Sequence, residues 1–457
     1  MAFPLRTGSR AVDLATARGS APVTPLLASA GVSVTGDGAF QVAAPLLAVS
    51  LTRDPLAVST VTAAFYLPWL IAGLPAGALA DRWPRRRVML AADLVRACLI
   101  GLLAVLVATG HAGLLLLVAV VLLTGIAGCF FDASSQAVIP TLVGRDKDML
   151  AKVNGRYWSI DTVGRSLLGP SGGSLAFAAG RFLPFAGDAL SFGASALFIS
   201  RLPSMPAAGT PQPLLAAIRE GLAHLRRSPQ LRQLAATMAA YNFAYNLAMA
   251  TFVLYATGPL HVADSEYGVL LALGALGGIA AGWYAARITR DLSHRQTMVL
   301  ATALQGAAWL GVVTVRAPIA IAGFLGLIGA ASTLISVAAS SARAALTPDH
   351  LLGRVVSAFR LFGIGAAGLG ALTGGLTARQ SDLRTPLWAA VAVLFVTVAA
   401  WRPWRLTSPA ATPATVPAAK PVAALTPTPT TTTTLTPTLT PTAGATVTAT
   451  ASTTYST

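Results

Sequence analysis

The sequence predicts an all-α membrane protein: 12 transmembrane helices in two six-helix pseudo-repeats around a central cavity, with the N- and C-termini cytoplasmic. Scarce charge, apolar runs of membrane-crossing length and basic residues confined to alternate loops carry this expectation. Of 457 residues, 54% are hydrophobic and only 11% charged, whereas a soluble domain carries about 25% charged residues. Apolar runs of about 20 residues, enough for a helix to cross a hydrocarbon core of about 30 Å, recur from end to end. They lie near 26–50, 57–80, 88–109, 112–137, 154–179, 182–200, 231–257, 266–289, 297–315, 317–342, 355–378 and 385–402. The turns between them leave no room for a separate soluble domain. Gly and Pro interrupt several runs, most of all the fifth and eleventh, and lipid-embedded helices tolerate this where neighbours re-satisfy the backbone.

The formal net charge of +16 raises the question of nucleic-acid binding, and the placement of the charge answers it. With a cytoplasmic N-terminus, one side collects Arg6, Arg10 and Arg18, then Arg82, Arg85, Arg86 and Arg87. Arg145, Lys147, Lys152 and Arg156 follow, and then Arg219, Arg226, Arg227 and Arg232. The opposite side holds only Arg53, Arg181, Arg316, Arg379 and Arg384. Basic even-numbered loops are the positive-inside pattern for an even number of spans. The charge reports topology, and no nucleic-acid partner is expected.

Residues 1–24 form a cytoplasmic N-terminal segment, 25–201 a first half, 202–230 a linker and 231–405 a second half. The apolar run after the N-terminal arginines is too long for a cleaved signal peptide and is expected to remain as the first span. The linker joins a Pro-rich turn to LLAAIREGLAHLRR, a basic amphipathic stretch suited to the membrane surface. Residues 406–457 are rich in Thr, Pro and Ala and lack the large apolar side chains a fold needs, so a disordered tail is expected. The halves echo each other: Gly77-Ala78-Leu79-Ala80-Asp81-Arg82 answers Gly282-Trp283-Tyr284-Ala285-Ala286-Arg287, and Leu150-Ala151-Lys152-Val153 answers Leu352-Gly353-Arg354-Val355. Repeated six-helix units around a midplane site are a transporter architecture. Frequent Ala and Arg with only three lysines suggest a GC-rich genome and a bacterial plasma (inner) membrane.

GALADRWPRRRVML at 77–90 resembles the helix 2–3 loop signature of the major facilitator superfamily, with Pro84 where that signature has glycine. The resemblance implies a cytoplasmic latch made by Gly77, Asp81, Arg82, Arg85 and Arg86, with Asp93 and Arg96 beside it. FFDASSQAVIP at 130–140, Asn154, Arg165, Asp188-Ala-Leu-Ser-Phe192 and LTPDHLLGRV at 346–355 are similar to the branch that holds enterobactin exporters and macrolide efflux pumps. That likeness, over about residues 25–400, implies proton-driven export of a small amphipathic or siderophore-like molecule. Gly169-Pro170-Ser171-Gly172-Gly173 resembles the antiporter motif of exporters, with Ser174 in one glycine place. Gly169, Pro170 and Gly173 serve close helix packing equally well.

An ionisable group at the bilayer centre costs about 2.5–3.5 kcal/mol on insertion scales and needs a reason. Such groups gather in the first half: Asp37, Asp93, Arg96, Asp132, Asp161, Arg165 and Asp188. Ser33, Asp37 and Gln41 share one helix face, which makes Asp37 a candidate for protonation or for binding a cationic group, the alternative being a hydrogen-bond hub. Asp93 and Arg96 are spaced to pair within one helix. Asp161 and Arg165 stand one turn apart, as do Asp132 and Gln136, and either a proton site or a static ion pair accounts for them. In the second half, Tyr241 with Tyr245 and Asn242 with Asn246 offer rings and amides to a substrate, or polar packing between helices.

Enzymatic readings fail on residue type. Each of the three lysines, Lys147, Lys152 and Lys420, is followed by Asp, Val or Pro, so no phosphate-binding loop exists. The five histidines are scattered, and Cys98 and Cys129 lie inside spans, so neither metal nor disulfide chemistry is built in. No cofactor is expected. The expected partners are a small-molecule substrate, protons and the lipid bilayer, the protein acting as a monomer. An importer or facilitator on the same fold, and a non-transporting receptor or scaffold, are the alternatives.

Overall fold

The computed structural model describes residues 23–73, 75–76, 83–143, 147–203 and 214–401, and among these no strand occurs. Helix α1, Val23–Leu51, ends before Asp54, whose carboxylate accepts from the Leu56 N–H at 3.2 Å and starts α2, Pro55–Ala64. The chain breaks at Phe65 and Tyr66 before α3, Leu67–Ile71, because Pro68 cannot donate to the carbonyl four residues back. Three long helices or segments follow: α4, Arg85–Ala108; α5, Leu114–Val143; and α6, Lys147–Val163. A five-residue π turn, Gly164–Leu168, then leads into α7, Gly169–Ala179, and α8, Leu183–Ser200.

The π turn has a local cause. Pro170 has no N–H for the Ser166 carbonyl, and the ladder widens instead, with the Gly169 N–H bonding the Gly164 carbonyl five residues back. The Ser171 hydroxyl adds a bond at the bend, donating to the Leu167 carbonyl at 3.0 Å.

The amphipathic stretch of the linker forms α9, Leu214–Arg227. Ser228 caps α10, Pro229–Thr257, accepting from Leu231 at 3.3 Å. Beyond it lie α11, Asp264–Ile288; α12, His294–Thr314; α13, Pro318–Leu346; α14, Asp349–Gln380; and α15, Thr385–Ala399. Ahead of α15, Asp382 accepts from the N–H groups of Arg384 and Thr385 at 2.8 Å each, which holds its carboxyl below the usual range.

Eight of these helices, namely α1, α4, α5, α8 and α11–α14, are long and apolar enough to cross a membrane. The other four predicted spans miss that standard for visible reasons. The second is broken at Phe65–Tyr66 and the fifth is interrupted by the π turn. The seventh, α10, carries Gln230, Arg232, Gln233, Tyr241 and Asn242 in its first half, and α15 has only 15 residues. The eleventh run, despite its glycines, is one continuous 32-residue helix, α14. Leucines such as Leu115, Leu190 and Leu197 stand exposed along helix flanks, as lipid-facing side chains do. Gly77, Asp81 and Arg82 of the expected latch, most of residues 1–24 and the whole of 406–457 lie outside the described residues.

Helix α1 packs against α7, α8 and the π turn, and α4 against α5 and α8; α10 packs against α14 and α15, and α11 against α13. Phe40, Phe185, Phe192, Phe252, Tyr255 and Trp309 are the large side chains at the centre of the buried core. Two seams join α1–α8 to α10–α15. On one, α14 runs along both α2 and α3, with Gly375 on Ser59, Arg379 pairing with Asp54 at 3.7 Å and Arg360 over the Trp69 ring at 4.1 Å. On the other, α11 meets α7 and the π turn, and the Ser174 hydroxyl donates to the Ser265 carbonyl at 3.0 Å.

The α1–α7 crossing is the tightest point that bears on the charged residues. A Cβ on Gly169 would lie 2.6 Å from the Gly38 Cα, and one on Gly173 would lie 2.6 Å from the Ala39 Cα. Neither neighbour is a flexible side-chain tip, so neither can yield. Gly169→Ala and Gly173→Ala are therefore expected to destabilise by about 1–3 kcal/mol each. Gly172→Ala, where an added Cβ meets nothing within 4 Å, should stay within about 0.5 kcal/mol of wild type. Thermal unfolding of the three variants in detergent checks the ordering.

Candidate functional site

The charged residues separate into two sets with different surroundings. Asp93 and Arg96 on α4 are both buried and pair at 2.5 Å. The second Asp93 oxygen accepts from the Ser195 hydroxyl at 2.6 Å, and Ser195 also bonds Ser29 on α1 at 2.8 Å. The Arg96 guanidinium lies 4.0 Å from the Phe192 ring centre and 4.6 Å from that of Phe131. This pair ties α1, α4, α5 and α8 into one block and has no open approach. Near the start of α4, Arg85 donates to the Ala137 carbonyl at 2.7 Å, and Arg86 donates to the Ser200 carbonyl at the C-terminus of α8, where cations are favoured.

The second set centres on Arg165, which sits in the π turn. Its guanidinium reaches Asp37 of α1 and Asp161 of α6, each at 3.4 Å. Arg165 retains 35% side-chain exposure, and both carboxylates are partly exposed as well. Two ligands at 3.4 Å in a partly open setting make a loose, exchangeable arrangement, unlike the sealed contact at Asp93. The Arg165 backbone lies against Gly38, whose missing Cβ would stand 2.8 Å from the Arg165 carbonyl oxygen. A side chain at position 38 would push the guanidinium away from Asp37. Asp132 on α5 stands within electrostatic range of Arg165, Arg96 and Asp37. Gln41 is exposed one turn beyond Asp37.

Sequence reasoning noted Asp188 without assigning it a part. It is 1% exposed and accepts from Ser191 at 3.1 Å, and its Oδ2 has no hydrogen-bond partner among the described residues. Gly36, next to Asp37 in the chain, packs directly on it. Its signal in the sequence was only a carboxylate in an apolar run.

A cavity of about 760 Å³ lies where the seam between α11 and the fifth helical run opens. Its walls come from α6, the π turn, Pro170 of α7, α10, α11 and α13, and Tyr241 and Tyr245 are on them. Asn242 and Asn246 are not. Asn242 donates to the Met238 carbonyl at 2.8 Å and Asn246 to the Asn242 carbonyl at 2.9 Å, so their amides are spent on their own helix. Asp37, Gln41, Asp132, Asp161 and Arg165 are not on the cavity wall either. Ser166, the residue after Arg165, is. One π turn thus presents a charge to α1 and a hydroxyl-bearing residue to the cavity. Trp158, Trp283, Ser332 and Thr333 also line it, none of them a site candidate from the sequence; a lone Trp or Ser in an apolar run gives no sign of which way it faces.

The two charge sets predict opposite mutational behaviour. Asp93→Asn leaves Arg96 buried without its counter-charge and should cost about 3–5 kcal/mol. Asp37→Asn leaves Arg165 its Asp161 partner and should cost about 1 kcal/mol or less. Folded yield by size exclusion and thermal midpoints in detergent separate the two.

Over residues 24–426 the chain matches the transmembrane secretion effector family. The multidrug efflux pump Tap of Mycolicibacterium fortuitum is 29% identical over 381 residues, which cover 80% of this chain and 92% of that protein. The Tap pump of Mycobacterium tuberculosis is 32% identical over 212 residues, covering 44% of this chain and 50% of that one. Among solved structures, a nucleoside transporter superposes with a TM-score of 0.69 at 11% identity, covering 83% of this chain and 98% of that one. A bacterial homologue of the human lysosomal transporter Spinster, inward-facing and unoccupied, gives 0.65 at 13% identity, covering 84% and 96%. Likenesses at such identities speak for the fold alone. The chain is a multi-pass membrane transporter and not an enzyme, and it belongs to the transmembrane secretion effector family of the major facilitator superfamily, a family of the drug-efflux type.

Proposed function

We propose that this transporter exports a small amphipathic molecule, such as a drug, antibiotic or siderophore, in exchange for protons across a bacterial inner membrane. In this reading it works as a monomer of twelve spans in two six-helix halves, 25–201 and 231–405, with both termini cytoplasmic. The observation that carries the reading is the position of Arg165: shared between Asp37 and Asp161, and one residue from the cavity wall. The helices before α9 hold five interior carboxylates, Asp37, Asp93, Asp132, Asp161 and Asp188, against two guanidinium groups, Arg96 and Arg165. Protons are the smallest cations that relieve such an excess in a low-dielectric interior.

The exchange follows from competition for Arg165. While Asp37 is ionised it holds the guanidinium towards α1. A proton arriving on Asp37 removes that attraction and leaves Arg165 to Asp161 alone, which shifts the π turn and with it Ser166 at the cavity. Each proton moving inward gains about 2.3 kcal/mol per 100 mV of membrane potential. Both seams are closed at the end bearing Asp54 and Arg379, which faces outward in this topology, while the cavity opens towards the other end. This arrangement would receive substrate from the cytoplasmic side of the membrane. The printed name of the Tap relative, an efflux pump, supports export over import.

The test is retention of amphipathic dyes and antibiotics in an efflux-deficient bacterium, with and without a protonophore. Wild type should lower retention, the protonophore should abolish the effect, and Asp37→Asn should fail while reaching the membrane in normal amount. Equal activity of Asp37→Asn and wild type would remove Asp37 from the coupling step. Protonophore-insensitive uptake of the same compounds would overturn the export reading.

A further inference from the structure

No Asp, Glu, Lys, Arg or His among the described residues lines the cavity. Its walls are rings, aliphatic side chains, Met249 and hydroxyls. Several hydroxyl hydrogens are already committed to backbone carbonyls: Thr162 to Trp158 and Ser159 to Gly155 at 2.8 Å, Ser332 to Ile328 at 2.7 Å, and Thr333 to Gly278 at 3.1 Å. What these groups still offer a ligand is oxygen lone pairs, so the wall accepts more hydrogen bonds than it donates. A charged ligand would leave water and meet no counter-charge, a transfer that is costly without a partner. The nearest carboxylates, Asp37 and Asp161, are engaged with Arg165. The ring faces do not replace them as a cage for a cation: Tyr241 and Tyr245 stack on each other at 6.3 Å, and Tyr245 meets Trp309 edge-on at 6.4 Å.

The way in has the same character. On the α14 seam the contact runs down α2 and α3 as far as Arg360 and Trp69, so that side is shut along the described length of those two helices. On the other seam α11 holds to α7 and the π turn and then parts from α6, leaving Trp158 and Trp283 on the two banks of the gap, Trp283 83% exposed. An opening between two membrane helices faces lipid, where uncharged ring compounds dissolve and where Trp side chains favour the interfacial zone. A volume of about 760 Å³ falls among pockets for drug-sized ligands, which run to about 300–1,000 Å³.

We infer that this cavity is the substrate site and that it takes an uncharged, ring-bearing molecule of drug size with hydrogen-bond donors, admitted sideways between α6 and α11. The inference rests on the efflux reading for its biological sense, but it concerns binding alone and depends on neither direction nor driving force. It narrows the amphipathic class by excluding permanent cations and the anionic siderophores.

The experiment uses the full chain in lipid nanodiscs and three probes with one ring system: dansylamide, neutral with a donor; dansylglycine, an anion; and a dansyl-aminoethyl-trimethylammonium, a permanent cation. Energy transfer from tryptophan to dansyl reports occupancy. Dansylamide should give saturable transfer, and the two charged probes should bind at least about tenfold more weakly. Ala275→Phe, which fills the cavity, should abolish the dansylamide signal, and Tyr245→Ala should weaken it about tenfold. Ile279→Asp, which places a carboxylate on the wall, should turn the preference towards the cation and serves if the Phe variant does not fold. Cation or anion binding as tight as dansylamide to wild type, or a dansylamide signal unmoved by Ala275→Phe and Ile279→Asp, overturns the proposal. Saturable dansylamide binding in a protein that lowers no compound's retention in cells would sink the efflux reading and leave the site standing.

Discussion

The close approach of α1 to the fifth helical run is the constraint on which the charged interior depends. Gly38 accepts the Arg165 backbone, and Gly169 and Gly173 accept α1 in turn. With side chains at those positions the axes would separate, and a guanidinium already at 3.4 Å from Asp37 would lose it. In lipid no hydrophobic gain drives helices together, so small residues that bring backbones into van der Waals contact carry much of the association. Packing and chemistry are therefore not separable at this crossing: the atoms that let the helices touch also set the distance of the ion pair.

Pro170 adds the second condition. By removing one N–H it opens the π turn, and the turn adds a residue to one cycle of the helix. Consecutive residues then serve two compartments, Arg165 the carboxylates and Ser166 the cavity. The distribution of polar groups follows the same division. The helices before α9 hold the charges, while α10, α11 and α13 contribute rings and small residues to the cavity wall. A carboxylate cluster inside the cavity would bind cationic ligands directly and compete with its own protonation; set one helix face away, it acts on the proposed mechanism through the turn.

Much of this was legible in the chain, and the failures have physical causes. Long apolar runs and the alternation of basic loops located α1, α4, α5, α8 and α11–α14, because membrane length and hydropathy are read over about 20 residues and tolerate local noise. The i, i+3 spacing of Asp93 and Arg96 announced their pairing, since both lie on one helix. The partnership of Asp37 with Arg165 was not readable, because it depends on the rotation of α1 against another helix. Rotation also decided the pairs on α10: Tyr241 and Tyr245 reached the cavity, while Asn242 and Asn246 turned towards their own backbone. Trp158 and Trp283 look in sequence like any lipid-facing tryptophan. Only the divergence of α6 from α11 gives them a gap to flank.

That divergence has a consequence for how the two seams share the work of transport. The α14 seam is held by an ion pair, a cation–π contact and glycine packing spread along two helices. Among the described residues the α11 seam is held towards one end, by Ser174 on Ser265 and by Gly268 against the Pro170 carbonyl. A structure fixed along one edge and at one corner of the other moves most readily by swinging the free part of the second edge. The free part here is α6, which carries Asp161 beside Arg165 on one face and a cavity wall on the other, and which runs directly into the π turn. On the proposed mechanism, a proton that loosens Asp37 from Arg165 acts on the least-anchored segment in the interface. The substrate, resting on the opposite face of that segment, acts on it as well, and two ligands that bias the same element are coupled without touching each other.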